Sequence, residues 1–230
     1  MQAPPSVGSE SYLQRLWNWF DRNFLELGRE LRLSYLPPLM VYLAAGISGL
    51  TAIVGTFFVK DYLGLSAEFL AALSFWAMLP WTLKLPVGHL VDLIWRYKGA
   101  LVFLGAGLIA ASLLIMLGLL QDRSAMEAIL PAGTWYVMSV ILAPVGYVIQ
   151  DVVADAMTVE AVPTVDETGQ PLDPHQQRMM HATMQTLGRV AIIFGTLLVA
   201  LVNVLMFNGV EGLSESEKVA IYRRLYLMAL

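Results

Sequence analysis

Lys84, Asp151, Asp155 and Arg189 are ionisable side chains set inside otherwise apolar stretches. A charge near the centre of a bilayer costs about 2.5–3.5 kcal/mol on insertion scales, so such residues face a bundle interior and pair with one another. Asp151 and Asp155 are four residues apart. On a helix that spacing puts both carboxyls on one face, about 6 Å apart along the axis. Two neighbouring carboxylates that lose water hold a proton more readily, and a lysine or arginine close by opposes that. The set therefore reads either as a gate or proton-coupling site or as a fixed salt-bridge network that holds helices in register. Both readings expect Lys84 and Arg189 to approach the two aspartates. Trp81 stands three residues before Lys84 and next to Pro80, so one helix face could stack a flat heterocycle and pair its carboxylate. A second constellation is Gly88-His-Leu-Val-Asp92-Leu-Ile-Trp-Arg96-Tyr-Lys98. Its glycine allows close helix contact, and an aspartate at a helix end can bridge to arginine and to the amino terminus of a neighbouring helix.

Other signals carry less chemistry. His175 and His181 lie in or beside a loop with no third ligand, which argues against a metal site. His89 reads as an interfacial histidine. Gly105-Ala-Gly107-Leu-Ile-Ala110 fits a dinucleotide-binding spacing, but it sits in an apolar span with no strand before it and reads as helix packing. No nucleophile–base pair occurs at useful spacing, so an enzyme is not expected, nor is a cofactor. The absence of cysteine removes disulfides and thiolate sites. A net charge of −4 offers no basic face to a nucleic acid.

The elements that must position these residues are membrane helices. Hydrophobic residues make up 57% of the 230 and charged residues 14%, against about 25% charged in a soluble domain. A crossing needs about 20 apolar residues. Spans are predicted over 36–59, 69–93, 99–120, 134–158 and 181–207, with the start of a sixth from about 219. The second span is expected to kink at Pro80 and Pro86. Residues 1–35 form a separate region. There Leu13, Leu16, Trp17, Phe20, Phe24, Leu27 and Leu31 recur at three- and four-residue steps, with Arg15, Arg22, Glu26 and Arg29 opposite. This is an amphipathic helix suited to the membrane surface. Arginine and lysine counts beside the crossings place the amino terminus, the 2–3 loop and the 4–5 loop in the cytoplasm.

The 88–98 pattern, between the second and third crossings, is similar to the loop motif of the major facilitator superfamily. Three further segments resemble the folate–biopterin transporter family, a branch of that superfamily: Lys60-Asp-Tyr-Leu-Gly-Leu-Ser66, Leu79-Pro-Trp-Thr-Leu-Lys84-Leu-Pro-Val-Gly88 and Asp151-Val-Val-Ala-Asp155-Ala-Met-Thr-Val-Glu160. A weaker echo lies at Gln185-Thr-Leu-Gly-Arg189. One departure is the stretch Ala161-Val-Pro-Thr-Val-Asp166, acidic where the family is more basic. The resemblance implies an all-α membrane protein, here the amino-terminal six-helix bundle of a twelve-crossing carrier. It implies alternating access, proton coupling and a folate or pterin-like solute, with Lys84, Asp92, Asp151, Asp155 and Arg189 as functional charges. Gly88, Asp92, Arg96 and Lys98 would form a cytoplasmic gate. The expected partners are the lipid bilayer, the solute and a carboxy-terminal half, and the expected location is a bacterial inner membrane. The alternative is a non-transporting assembly factor or pigment-handling chaperone of the same fold. A carrier should present a polar, water-reachable cleft bordered by crossings one, two, four and five.

Overall fold

The computed structural model describes residues 12–21, 32–57, 66–166 and 168–230. Among them it is all-helical, with a single isolated bridge between Val165 and Pro171. Helix α1 covers Tyr12–Phe20. Its Leu13, Leu16 and Trp17 side chains are exposed. The rest of the expected amphipathic segment, through Leu31, lies outside the described residues, as do Lys60 to Leu65 of the family-like string.

The first crossing is α2, Leu36–Ile47, followed by a tight turn over Ser48–Thr51 and by α3, Ala52–Phe57. Pro37 and Pro38 sit in its first turn, where a missing N–H costs nothing. The second crossing is split into α4, Ala67–Thr82, and α5, Lys84–Leu93. Ser66 caps α4 by accepting from the Phe69 amide at 3.1 Å. The third and fourth crossings are α6, Lys98–Gln121, and α8, Ala132–Ala161, joined by the short α7, Arg123–Glu127. The fifth, α9, runs unbroken over Pro174–Phe207. It begins before the expected His181 because Asp173 caps it and Pro174 occupies its first turn, which makes the polar stretch around Gln176 helical as well. Helix α10, Glu215–Ala229, opens on a capping box between Ser214 and Glu217.

Five helical segments among the described residues are long and apolar enough to cross a membrane. Large apolar side chains such as Phe103, Ile193, Leu197 and Leu205 are exposed along them, a surface that only lipid or another apolar face can cover. The chain is an all-α, multi-pass membrane protein. Helix α8 is the hub: it packs on α6, α2, α4, α5 and α9. The α6–α8 crossing is close, because a Cβ on Gly146 would stand 2.6 Å from the Gly105 carbonyl oxygen. Gly105 is thus a packing contact, whereas a Cβ on Gly107 would meet nothing within 4 Å. About two turns away, Ser112 and Ser139 hydrogen-bond each other at 2.9 Å within this interface.

Candidate functional site

The site begins with a broken helix. Pro86 has no N–H for the Thr82 carbonyl, and its ring crowds that oxygen. The chain gives way at Leu83, whose φ and ψ are −87° and 5°. The single break falls between the two prolines expected to kink the span. It leaves Lys84 as the first residue of α5, aimed at α8.

On α8, Asp151 and Asp155 face it from successive turns. Lys84 Nζ lies 2.5 Å from Asp151 Oδ2 and 2.8 Å from Asp155 Oδ2. A third crossing joins them: the Tyr42 hydroxyl of α2 donates to Asp155 Oδ1 at 2.6 Å. Tyr42 is 6% exposed. Its ring lies against α9, where a Cβ on Gly188 would meet two ring carbons at 2.8 Å. Four crossings thus converge, and the sites of ionisation differ in exposure. The Asp151 side chain is 17% exposed, that of Lys84 37% and that of Asp155 46%.

Two carboxylates meet one lysine and one neutral hydroxyl, so the cluster carries a formal charge of −1. Both oxygens of Asp155 are engaged. Asp151 uses Oδ2 and has no further side-chain donor among the described residues. An arriving proton or cation therefore finds an acceptor already beside a positive charge, in a cluster that is only partly buried. Such a cluster can exchange its lysine contact for a proton or for a donor on a solute.

The expected fourth member is elsewhere. Arg189 is exposed and pairs with neither aspartate. Helix α9 packs through Met184, Leu187, Gly188 and Gly195, and Arg189 is rotated about 100° past Gly188, away from that stripe. Trp81 is 39% exposed on α4. The break at Leu83 separates it from Lys84, so the continuous helix face that a stacked heterocycle would need is interrupted.

In the 2–3 connection, Lys98 pairs with Glu160 at the end of α8 and stands 4.6 Å over the Trp95 ring. Gly88 faces Val152 of α8. Asp92 and Arg96 are exposed, Arg96 resting over the Tyr97 ring at 4.9 Å. Lys98 therefore ties this end of the bundle to itself, while Asp92 and Arg96 remain on the surface.

The interior space differs from the expected cleft. A cavity of about 560 Å³ is bordered by the first, second, third and fourth crossings and by α10, and α9 does not line it. Its wall includes Ser48, Thr51, Ser74, Tyr136, Tyr147 and Tyr226. A separate groove of about 510 Å³ runs between α4–α5, α6 and α8 and is almost wholly apolar, from Trp76 to Ile94.

Comparison of the chain with family models, with curated proteins and with solved structures yields no match in any of the three.

Two participants escaped sequence reasoning. Tyr42 is a hydroxyl in an apolar span, and buried tyrosine hydroxyls find partners. That signal was present, although the partner's identity was not. Glu160 was visible as part of a motif, but its pairing with Lys98 depends on where the 2–3 turn ends.

Proposed function

We propose that the chain supplies the amino-terminal bundle of a secondary active transporter that moves a small organic solute, folate or pterin-like, by alternating access with proton coupling. The observation that carries this reading is the Lys84–Asp151–Asp155 cluster, bridged to the first crossing by Tyr42 and partly exposed. A purely structural ion pair has no need of exposure. Buried pairs gain little net stability over apolar packing, whereas a cluster of unequal exposure that ties three helices can change partners as the helices move. Orientation with the amino terminus in the cytoplasm, in a bacterial inner membrane, belongs to this proposal, as does the role of Gly88, Asp92, Arg96 and Lys98 at a gate toward a second bundle.

The test is uptake of labelled pterin or folate by the complete carrier in proteoliposomes under a pH gradient. Lys84→Ala and Asp155→Asn are expected to abolish uptake at unchanged protein level. Normal transport by both variants would remove the coupling assignment. The second reading, an assembly factor or pigment-handling chaperone of the same fold, is favoured by one feature, the apolar groove along α4–α5. It predicts that the same substitutions leave function intact.

A further inference from the structure

The cavity and the ion cluster share three walls but differ in chemistry. No aspartate, glutamate, lysine, arginine or histidine lines the 560 Å³ space. Its polar groups are hydroxyls. Ser74 donates to the Leu70 carbonyl at 2.8 Å and keeps lone pairs to accept with. Tyr147 is hydrogen-bonded to Ser48 and Tyr226 to Thr51. The Tyr136 hydroxyl makes no hydrogen bond among the described residues, so it offers a donor to whatever enters. Ser112 and Ser139 also line it and hydrogen-bond each other, and the remaining wall is apolar. A charged solute would leave its water there and meet no counter-charge, whereas a neutral one with polar edges would find both acceptors and a donor.

Tyr147 and Asp151 are four residues apart on α8, on one face and about 6 Å apart along the axis. A solute resting on Tyr147 lies one helical turn from the carboxylate that Lys84 holds. Resting on the carrier reading above, we propose that the solute site is this hydroxyl-lined cavity between the first four crossings and α10, and that its ligand is an uncharged, partly apolar molecule with hydrogen-bonding edges. The ion cluster then handles the proton and not the solute. For a pterin-like compound, the ring system is what the cavity holds, which narrows the solute class above to uncharged pterins and sets folate, with its carboxylates, aside.

The experiment uses the purified chain in detergent and matched neutral and anionic probes: pterin against pterin-6-carboxylate, and nicotinamide against nicotinate. The neutral member of a pair is expected to raise the thermal unfolding midpoint, and the carboxylate is not. Filling the cavity with Ala77→Leu or Ala143→Leu should abolish that shift, while Lys84→Ala should leave it. Tyr147→Phe keeps the volume and serves where the filled variants do not fold. It should weaken binding by about tenfold at most, the loss of one hydrogen bond. Stabilisation by the carboxylates alone, a shift that survives cavity filling but disappears with Lys84→Ala, or no shift with either pair would each overturn the proposal. The carrier reading fails separately: normal uptake by both Lys84→Ala and Asp155→Asn would sink proton coupling and leave the binding result standing.

Discussion

At the scale of single residues, the position of Tyr42 decides how Asp155 is held. The hydroxyl reaches Asp155 only because α9 presents no side chain where the ring lies. Gly188→Ala would put a Cβ at 2.8 Å from two ring carbons, and overpacking of that kind costs about 1–3 kcal/mol. Tyr42→Phe removes a hydrogen bond to a charged acceptor, worth about 1.5–3 kcal/mol. If the methyl group displaces the hydroxyl, the alanine change also breaks that bond in the parent, but it has no bond to break in the phenylalanine variant. A double-mutant cycle on unfolding in detergent is therefore expected to show coupling of about 1 kcal/mol or more. Strict additivity would mean that Gly188 does not position the ring. The two aspartates and Lys84 could be found in the sequence because charge in an apolar run is conspicuous. Arg189 was equally conspicuous and yet lies outside the cluster. Being charged does not say which way a helix is turned, and the packing stripe that turns α9 is made of Met184, Leu187 and glycines.

Among the elements, the split second crossing converts a backbone defect into a side-chain position. The crossings and their order followed from hydropathy alone, and so did the presence of a proline-weakened helix. The place of the break did not, because either proline could have taken it. Pro86→Ala returns an N–H to the Thr82 carbonyl and removes a helix penalty of about 3 kcal/mol. The span should then run straight through Leu83, carrying Lys84 round its axis and off the two carboxylates. The expected outcome is a thermal midpoint equal to or above the parent's, together with lost uptake, so that stability and transport move in opposite directions. Retained uptake would show that the break does not place Lys84. The 4–5 loop has its own order. Asp166 accepts from the Thr168 hydroxyl at 2.6 Å and from the Thr168 and Gln170 amides at 2.8 and 2.9 Å, and Gly169 closes the turn at φ 80°. These bonds, the Thr168 hydroxyl foremost, hold its carboxyl below the usual carboxylate value. A depressed value in the folded loop means that the stabilisation is full above the unfolded carboxylate pKa of about 3.9 and fades as pH falls through the lower folded one. Amide exchange at Gln170, corrected for its intrinsic rate, should keep its protection factor through mild acid and lose it only below that range. Asp166→Asn should lack the protection at neutral pH, and an unchanged factor in that variant would discount the turn.

For the whole molecule, the question is which end faces which compartment. The structure gathers the ends without reference to charge. The Ser34 hydroxyl donates to the Ala161 carbonyl at 3.1 Å, and Lys98 pairs with Glu160. The chain before the first crossing, the 2–3 connection and the start of the 4–5 loop therefore share one end, and α7 with its Arg123–Glu127 pair at 2.8 Å lies at the other. Among the described residues, the first end carries Arg32, Arg96, Lys98 and Arg178, and the second carries Arg123 between crossings; Lys60, in the connection after the first crossing, lies outside the described residues. Basic residues mark the cytoplasmic side, and the proposed orientation, with the amino terminus in the cytoplasm, rests on that count. Helix α10 narrows the difference, since Lys218, Arg223 and Arg224 lie on it and a count restricted to the loops omits them. Because the chain has no cysteine, single cysteines report the answer directly. Ser34→Cys and Thr168→Cys should react with a membrane-impermeant maleimide only after cells are opened, and Ser124→Cys should react in intact cells. The reverse pattern would invert the orientation and leave the bundle as described. Labelling of positions 34 and 168 from opposite sides would break the bundle itself, because no path of five crossings could then bring Ser34 to Ala161 and Lys98 to Glu160 at one membrane face.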